Sequence, residues 1–223
     1  MIVIITSGGT TEQIDVVRGI TNFSSGRLGA KIADELVMCD VVSKVYYVCA
    51  QKTVRPSSSS RKIEIVSYTD VYSIQNVTYN LLRKQNIDVL IHASAISDYY
   101  VTEIRDSNGL LLDRNGKIRS GILGLTVKLE PTHKIISKFK QISPETTLIG
   151  FKLMSDVSNE QLFDAADKVL KENNCTFVLA NRLEDINGEN HIAYLRSNKG
   201  TIEQYKTKAE IAKGIVNILG LGR

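Results

Sequence analysis

The residues best suited to chemistry crowd into the first thirty positions. Ile2–Thr6 is an apolar, β-branched run that stops at Ser7-Gly8-Gly9-Thr10-Thr11-Glu12. Two adjacent glycines let backbone N–H groups approach a phosphate with no Cβ in the way. Gly8, Gly9 and Thr10 are therefore a candidate anion cradle, although a tight strand-to-loop turn explains the same residues equally well. Further on, Arg18 offers a guanidinium that can grip a phosphate or carboxylate through two parallel hydrogen bonds. Asn22 carries both a donor and an acceptor, a combination suited to orienting a carbonyl. Ser24, Ser25 and Gly26 place hydroxyls and free N–H groups at the positive end of a helix, where anions bind. Plainer readings stay open: an N-cap for Ser24-Ser25, close packing for Gly26 and Gly29, a surface ion pair for Arg18.

These groups need a scaffold, and the hydrophobic pattern supplies one. Ile2–Thr6, Val42–Cys49, Ile63–Val66, Ile87–His92, Thr147–Phe151 and Thr176–Ala180 read as buried strands. Between them, apolar residues at helical spacing predict helices: Leu28, Ile32, Leu36 and Val37; Val71, Ile74, Val77 and Leu81 behind a Thr69-Asp70 cap; Ile135, Ile136 and Phe139; Gln161–Lys171. Ile192–Arg196 and Thr201–Tyr205 flank Ser197–Gly200 as a β-hairpin, and Lys208–Leu219 closes the chain as a helix. Alternating strands and helices imply an α/β fold: a doubly wound, mostly parallel, Rossmann-like sheet with helices on both faces and a C-terminal antiparallel hairpin. Residues 1–223 read as a single domain. The polar stretch at about 99–124 breaks the pattern and is expected to be a mobile loop or excursion. Ligands of such sheets sit beyond the carboxyl ends of the strands. That directs attention to Ser7–Asn22, to Ala93–Asp98 and to the segment after Phe151.

Bulk properties narrow the class. The 28 Lys and Arg against 24 Asp and Glu give a net charge of +4, with no run of basic residues longer than two. No nucleic-acid arm follows from that, while anionic small molecules fit. Cys39, Cys49 and Cys175 are far apart and form neither a C-x-x-C pair nor a metal spacing, so a reduced, cytoplasmic protein is expected. No apolar run is long enough for a signal peptide or a membrane span.

A dinucleotide-dependent reductase of the same architecture is the natural rival. The G-x-G-x-x-G fingerprint is missing, as is a Walker A loop. The second strand ends in Tyr47-Val48-Cys49-Ala50-Gln51-Lys52, with no acid to hold an adenosine ribose. A short-chain-reductase pair is present only as Tyr79 with Arg83 where Lys belongs. A non-catalytic nucleotide-binding protein is the other alternative.

The run Thr6–Glu12, then Ile14-Asp15, Val17-Arg18, Ile20-Thr21-Asn22 and Ser24-Ser25-Gly26, resembles the opening of phosphopantothenate–cysteine ligases. In many bacteria that unit is the C-terminal half of a fused ligase–decarboxylase flavoprotein. The likeness continues through Ala93–Tyr99, Lys117–Ser120, Leu125–Val127, Pro131-Thr132, Ile149–Phe151 and Leu179–Asn181, with Ser94 where the fused enzymes carry Ala. The resemblance implies a stand-alone ligase without flavin that joins 4′-phosphopantothenate to L-cysteine. CTP would be cleaved to CMP and pyrophosphate with Mg²⁺, through an acyl-nucleotidyl intermediate, in coenzyme A synthesis. It further implies that Asn22 binds the activated carbonyl, Arg18 binds the substrate's acidic end, and Lys117 stabilises the first transition state from a closing loop. Gly8, Gly9, Thr10, Ser94, Ala95, Asp98 and Phe151 would bind the nucleotide, and Ser24, Ser25 and Gly26 the phosphate. No metal ligands are assigned, Mg²⁺ coming with the nucleotide. A homodimer is expected.

Overall fold

The structure is a computed structural model that describes residues 1–222, the side chain of Ile202 excepted. The chain runs β1 (Ile2–Ser7), β2 (Thr11–Gln13), β3 (Gly19–Thr21), α1 (Arg27–Val37), β4 (Lys44–Ala50), β5 (Ile63–Tyr68), α2 (Val71–Lys84) and β6 (Val89–His92). It continues through β7 (Tyr99–Arg105), β8 (Thr126–Pro131), a 3₁₀ turn at Ile135–Lys138, α3 (Phe139–Ile142), β9 (Thr147–Met154) and α4 (Asn159–Asn173). It closes with β10 (Phe177–Asn187), β11 (Asn190–Ser197), β12 (Gly200–Thr207) and α5 (Lys208–Ile218).

Eight strands form one sheet in the order β12-β11-β10-β9-β6-β1-β4-β5. From β5 to β10 every neighbouring pair is parallel; β11 and β12 add the antiparallel hairpin expected near the C-terminus. The chain leaves β1 toward β4 and β5, then returns to place β6 on the other side of β1. The topological switch point thus lies between β1 and β6, where ligands of open α/β sheets bind.

The two faces of the sheet carry separate cores. Ile32, Ala33 and Leu36 of α1 and Ile211, Ala212 and Ile215 of α5 pack on Val3, Ile5, Tyr47, Ile91 and Ile149. On the opposite face α2 and the 3₁₀–α3 segment cover Ile4, Val48, Leu90 and Leu148, and α4 covers Val178 and Ala180. Alternate strand residues serve alternate faces, as a pleated strand buried on both sides requires. In α2 the fully buried stripe is Val71, Ile74, Thr78 and Leu82, while the anticipated Val77 and Leu81 pack at its edge. Asp70 caps α2 as predicted, in a capping box with Ser73.

Two small antiparallel ribbons stand outside the main sheet: β2 with β3, and β7 with β8. The first was not foreseen, because three-residue strands leave no periodicity to read. The second pairs β7, inside the patternless stretch, with β8 just beyond it, where Leu125–Leu129 alternates like a strand in the sequence, and it has its own small core of Val101, Ile104 and Ile118. The segment after Pro131 gives only a 3₁₀ turn and four α residues rather than a full helix.

Candidate active site

The switch point is a knot of backbone hydrogen bonds. Gly9 and Ala95 form an isolated parallel bridge that extends the β1–β6 pairing. Ala95 N donates to Gly8 O at 2.9 Å and Thr10 N donates to Ala95 O at 3.1 Å. Thr10 is fully buried, and its Oγ1 accepts from Ser97 N at 2.9 Å. Asn22 joins the same knot: its N–H donates to Thr10 O at 3.1 Å, and its Nδ2 donates to Ile96 O at 3.1 Å. That leaves Asn22 Oδ1 with no donor among the described residues. The backbone closes so tightly here that a Cβ on Gly9 would lie 1.8 Å from Asn22 O. Glycine is therefore dictated by approach rather than by turn conformation.

Beneath the knot, two tyrosines fasten the loops. The Tyr68 hydroxyl lies 2.9 Å from Ser7 O and 3.0 Å from Ser94 Oγ, and the Tyr47 hydroxyl lies 2.9 Å from Ser7 Oγ and 2.8 Å from Val54 O. Burial pushes both phenols well above their ordinary range, and the hydrogen bonds they share with Ser7 and Ser94 offset this only in part. Both therefore stay neutral donors. A tyrosine buried in a strand needs a partner for its hydroxyl, which is the signal that could have flagged them in the sequence.

α1 begins at Arg27, with Gly26 as its N-cap in a left-handed conformation (φ 73°) and no side chain capping it. Neither Ser24 nor Ser25 is the N-cap, a correction to the plainer reading of that pair. A Cβ at Gly26 would strike Thr53 Cγ2 at 2.1 Å, so loop 50–54 and the start of α1 can meet only through glycine. Ser25 Oγ accepts from Arg27 N at 3.5 Å, while the next N–H groups of the first turn, those of Leu28 and Gly29, bond to no other described residue.

A cleft of about 620 Å³ opens over this arrangement, lined among others by Gly9, Val17, Asn22, Ser24, Lys52 and Tyr68. No carboxylate is among its described lining residues, and Lys52 brings it a cation that nothing in the surrounding sequence announces. Phe23 stands at its rim, 97% exposed. A larger hollow of about 900 Å³, near Met1, Asp88 and Thr147, lies at the opposite, amino ends of the strands. It shares no residue with the knot.

The expected site residues fall into three groups. Gly8, Gly9, Thr10, Asn22, Ser94 and Ala95 converge at the knot, with Ser24, Ser25 and Gly26 at the adjoining start of α1. Asp98 lies just beyond, exposed and paired with Lys134, its carbonyl accepting from Thr132 N at 2.9 Å. Phe151 follows Gly150 on β9 and is partly packed against the α1–α5 core. Arg18 and Lys117 form the third group. Val17 and Gly19 line the cleft, but the Arg18 guanidinium turns to Asp15 at 2.9 Å and to Ile118 O at 3.3 Å. Lys117 is exposed and bonds to no other described residue.

Glu12, the acid closest to the glycines, is taken up structurally. Its carboxylate accepts from Val71 N at 3.0 Å at the start of α2. Burial, aided by the charge of Asp70, lifts its pKa despite that bond. Among the described residues no three His, Cys, Asp or Glu cluster as metal ligands, and no helix is long and apolar enough to cross a membrane.

The fold and the knot define a Rossmann-like α/β domain with an open cleft at the switch point. Residues 1–220 match the DNA/pantothenate metabolism flavoprotein C-terminal domain, DFP, and the chain belongs to that family. It is 32% identical over 212 residues to the coenzyme A biosynthesis bifunctional protein CoaBC of Thermococcus kodakarensis, covering 95% of this chain and 49% of that protein. The chain thus spans about half the length of the curated relatives it matches. The crystal structure of the DNA/pantothenate metabolism flavoprotein from Streptococcus pneumoniae superposes with a TM-score of 0.87 at 30% identity, over 99% of this chain and 98% of that one. A Cab2 variant in complex with phosphopantothenate-cysteine shares the fold, with a TM-score of 0.78 at 20% identity over 98% of this chain and 85% of that one.

Proposed function

We propose that this chain is a phosphopantothenate–cysteine ligase. The observation that carries the reading is the cleft at the β1–β6 switch point. It is free of carboxylates and bordered by an asparagine whose side-chain amide is anchored and whose carbonyl oxygen is not. Membership of the DFP family, with relatives named for coenzyme A biosynthesis and a fold relative solved with phosphopantothenate-cysteine, supports the same chemistry.

The substrate carboxylate attacks the α-phosphorus of CTP. An acyl-cytidylate forms and pyrophosphate leaves. The amine of cysteine then attacks the acyl carbon, loses a proton as the amide forms, and expels CMP. Positive charge is needed where the triphosphate sits. Lys52 lines the cleft, the N-terminus of α1 adds its dipole, and Lys117 supplies a further cation from the β7–β8 segment. Mg²⁺, when bound to the triphosphate, would supply charge neutralisation there, and Lys52 and Lys117 would share that work. No electrons are transferred, so the chemistry calls for no flavin. Asn22 orients the acyl carbonyl, Arg18 binds the acidic end of phosphopantothenate, and Asp98 with the Ser94–Ala95 backbone and Phe151 borders the nucleotide. Ser24, Ser25 and Gly26 receive the phosphate. A second copy of the chain would cover apolar side chains exposed on and beside the β7–β8 ribbon, such as Tyr99, Leu125 and Leu129. Three free cysteines fit a reducing cytoplasm.

Pyrophosphate release tests the reading. The purified protein is given Mg²⁺, 4′-phosphopantothenate and cysteine, with CTP and ATP in parallel. Release with CTP and formation of phosphopantothenoylcysteine is expected. Release with ATP alone keeps the ligase and overturns the choice of nucleotide, and no release with either removes the reading. Asn22→Asp is expected to bind nucleotide as the parent does yet form amide at least ~10²-fold more slowly, as loss of one oriented transition-state contact does.

A further inference from the structure

Asp15 is absent from every role assigned above, yet among the described residues no other carboxylate accepts more hydrogen bonds. Its side chain is fully buried. Oδ1 accepts from Val17 N at 2.9 Å and Arg18 N at 2.8 Å, which closes the β2–β3 turn. Oδ2 accepts from Arg18 Nη1 at 2.9 Å and from Ile118 N at 3.1 Å. Four donors fill the four acceptor positions that a carboxylate offers. Burial acts to raise this carboxyl's pKa, but the bonds from Val17, Ile118 and Arg18 outweigh it, so the group sits below its ordinary value and stays ionised.

The bond to Ile118 bridges two regions 103 residues apart. Arg18 Nη2 completes it by donating to Ile118 O, so both backbone groups of Ile118 are held, while its side chain is buried beside Val101 and Ile104. Arg114 adds a second tie, donating to the carbonyls of Gln13, Ile14 and Val101. The segment that carries Lys117 is therefore docked on the β2–β3 turn, one residue from the docking point.

We propose that Asp15 is a positioning residue: through one carboxylate it sets the direction of Arg18 and the place of the Lys117 segment. This rests on the ligase reading for its catalytic consequence, but not for its geometry. A kinetic cycle tests the consequence. Asp15→Asn keeps an acceptor for the turn and places an N–H₂ opposite the donors of Arg18 and Ile118. Its kcat for pyrophosphate release is expected to fall at least ~10-fold with the KM for nucleotide changed less than ~3-fold. The double variant with Lys117→Gln should lose clearly less than the product of the two single losses, because the part of the Asp15 effect that acts through Lys117 is already gone and coupled residues do not add. Independent, multiplying losses would overturn the proposal, since a merely structural defect would give them.

Hydrogen exchange on the unaltered protein tests the geometry without turnover. The Ile118 amide is expected to exchange at least ~100-fold more slowly than those of Lys117 and Arg119, and comparable rates would overturn the docking. Should Asp15→Asn fail to fold, or the parent release no pyrophosphate, the Ile118 amide decides the proposal by itself. Lack of turnover in the parent with a protected Ile118 removes the ligase reading and leaves the docking standing.

Discussion

The knot at the β1–β6 switch point and the Arg18–Lys117 region stand on the same scaffold but are built in opposite ways. The knot is backbone: glycines, a buried threonine and two tyrosine hydroxyls hold it at fixed spacing, and almost nothing in it can move without breaking a bond. The other region is side chains: one carboxylate and one guanidinium tie a surface segment to a short hairpin, and the cation at its tip is free. A cleft that must hold charge in one place gains from the first kind of construction. On the ligase proposal, a cation that acts at one step of a reaction gains from the second.

That contrast can be broken from either side. The largest effect is expected at the tip. Lys117→Gln should lower kcat by ~10² to 10³-fold, the usual consequence of removing one group that stabilises transition-state charge. Its unfolding temperature should match the parent's, since Lys117 bonds to no other described residue. Equal loss of stability and rate would place Lys117 in the scaffold instead.

In the knot the order reverses, with stability failing first. Gly9→Ala pushes a methyl into Asn22 O, and overpacking of this kind costs about 3 kcal/mol. Denaturant unfolding should show the loss, and activity should vanish with it because Asn22 is displaced. A variant as stable as the parent would mean that the two loops separate more readily than the geometry allows.

Acid should weaken the scaffold through its buried histidines. His92 accepts or donates at Nδ1 with Thr6 Oγ1 at 2.8 Å and stacks edge-on against Phe139, and burial pushes its pKa down to about 4. His191 is likewise lowered to about 4, first by burial and then by the charge of Lys208. A group whose folded pKa is depressed gives stability that is whole above its unfolded pKa, near 6.5, and is lost as pH falls through the folded value. For His92 the loss reaches at most ~3 kcal/mol below pH 4. Thermal unfolding followed from pH 7.5 to 4 should fall steadily below about 6.5, and less steeply in His92→Gln. An identical slope in that variant would contradict the assignment.

The smallest effect is expected from Tyr68→Phe. It removes the donor to Ser7 O and costs about 1 kcal/mol, the net value of one buried hydrogen bond. A loss near zero would show Ser7 O finding another partner.

How much of this could be read from the sequence follows the same division. The sheet, its helices and the C-terminal hairpin are written in hydrophobic periods of two and 3.6, and those local signals survive folding. Gly8, Gly9, Asn22, Ser94 and Ala95 were legible because strand-end position and glycine spacing are local too. What could not be read depends on distance along the chain. Nothing near Asp15 announces a bond to Ile118, and nothing near Arg114 announces the Gln13 carbonyl. Arg18 carries both kinds of signal: its guanidinium reads as a phosphate or carboxylate grip or as an ion pair, and in the folded chain it pairs with Asp15, three residues away, and also reaches Ile118 O, a partner no local pattern announces. Glu12 likewise gives no local sign that its carboxylate accepts from Val71 N at the start of α2. The three-residue strands of the β2–β3 ribbon are shorter than any period that could reveal them.

An acyl-nucleotidyl step at this cleft is the centre of the ligase proposal, and isotope transfer reports on it most directly. 4′-Phosphopantothenate labelled with ¹⁸O in its carboxylate is converted with CTP, Mg²⁺ and cysteine, and the products are weighed by mass spectrometry. If the carboxylate attacks the α-phosphorus, one labelled oxygen leaves in CMP when cysteine captures the acyl group. Label in inorganic phosphate would mean attack at the γ-phosphorus and a different disposition of the triphosphate. Product with no label in either would contradict nucleotide activation of the carboxylate altogether.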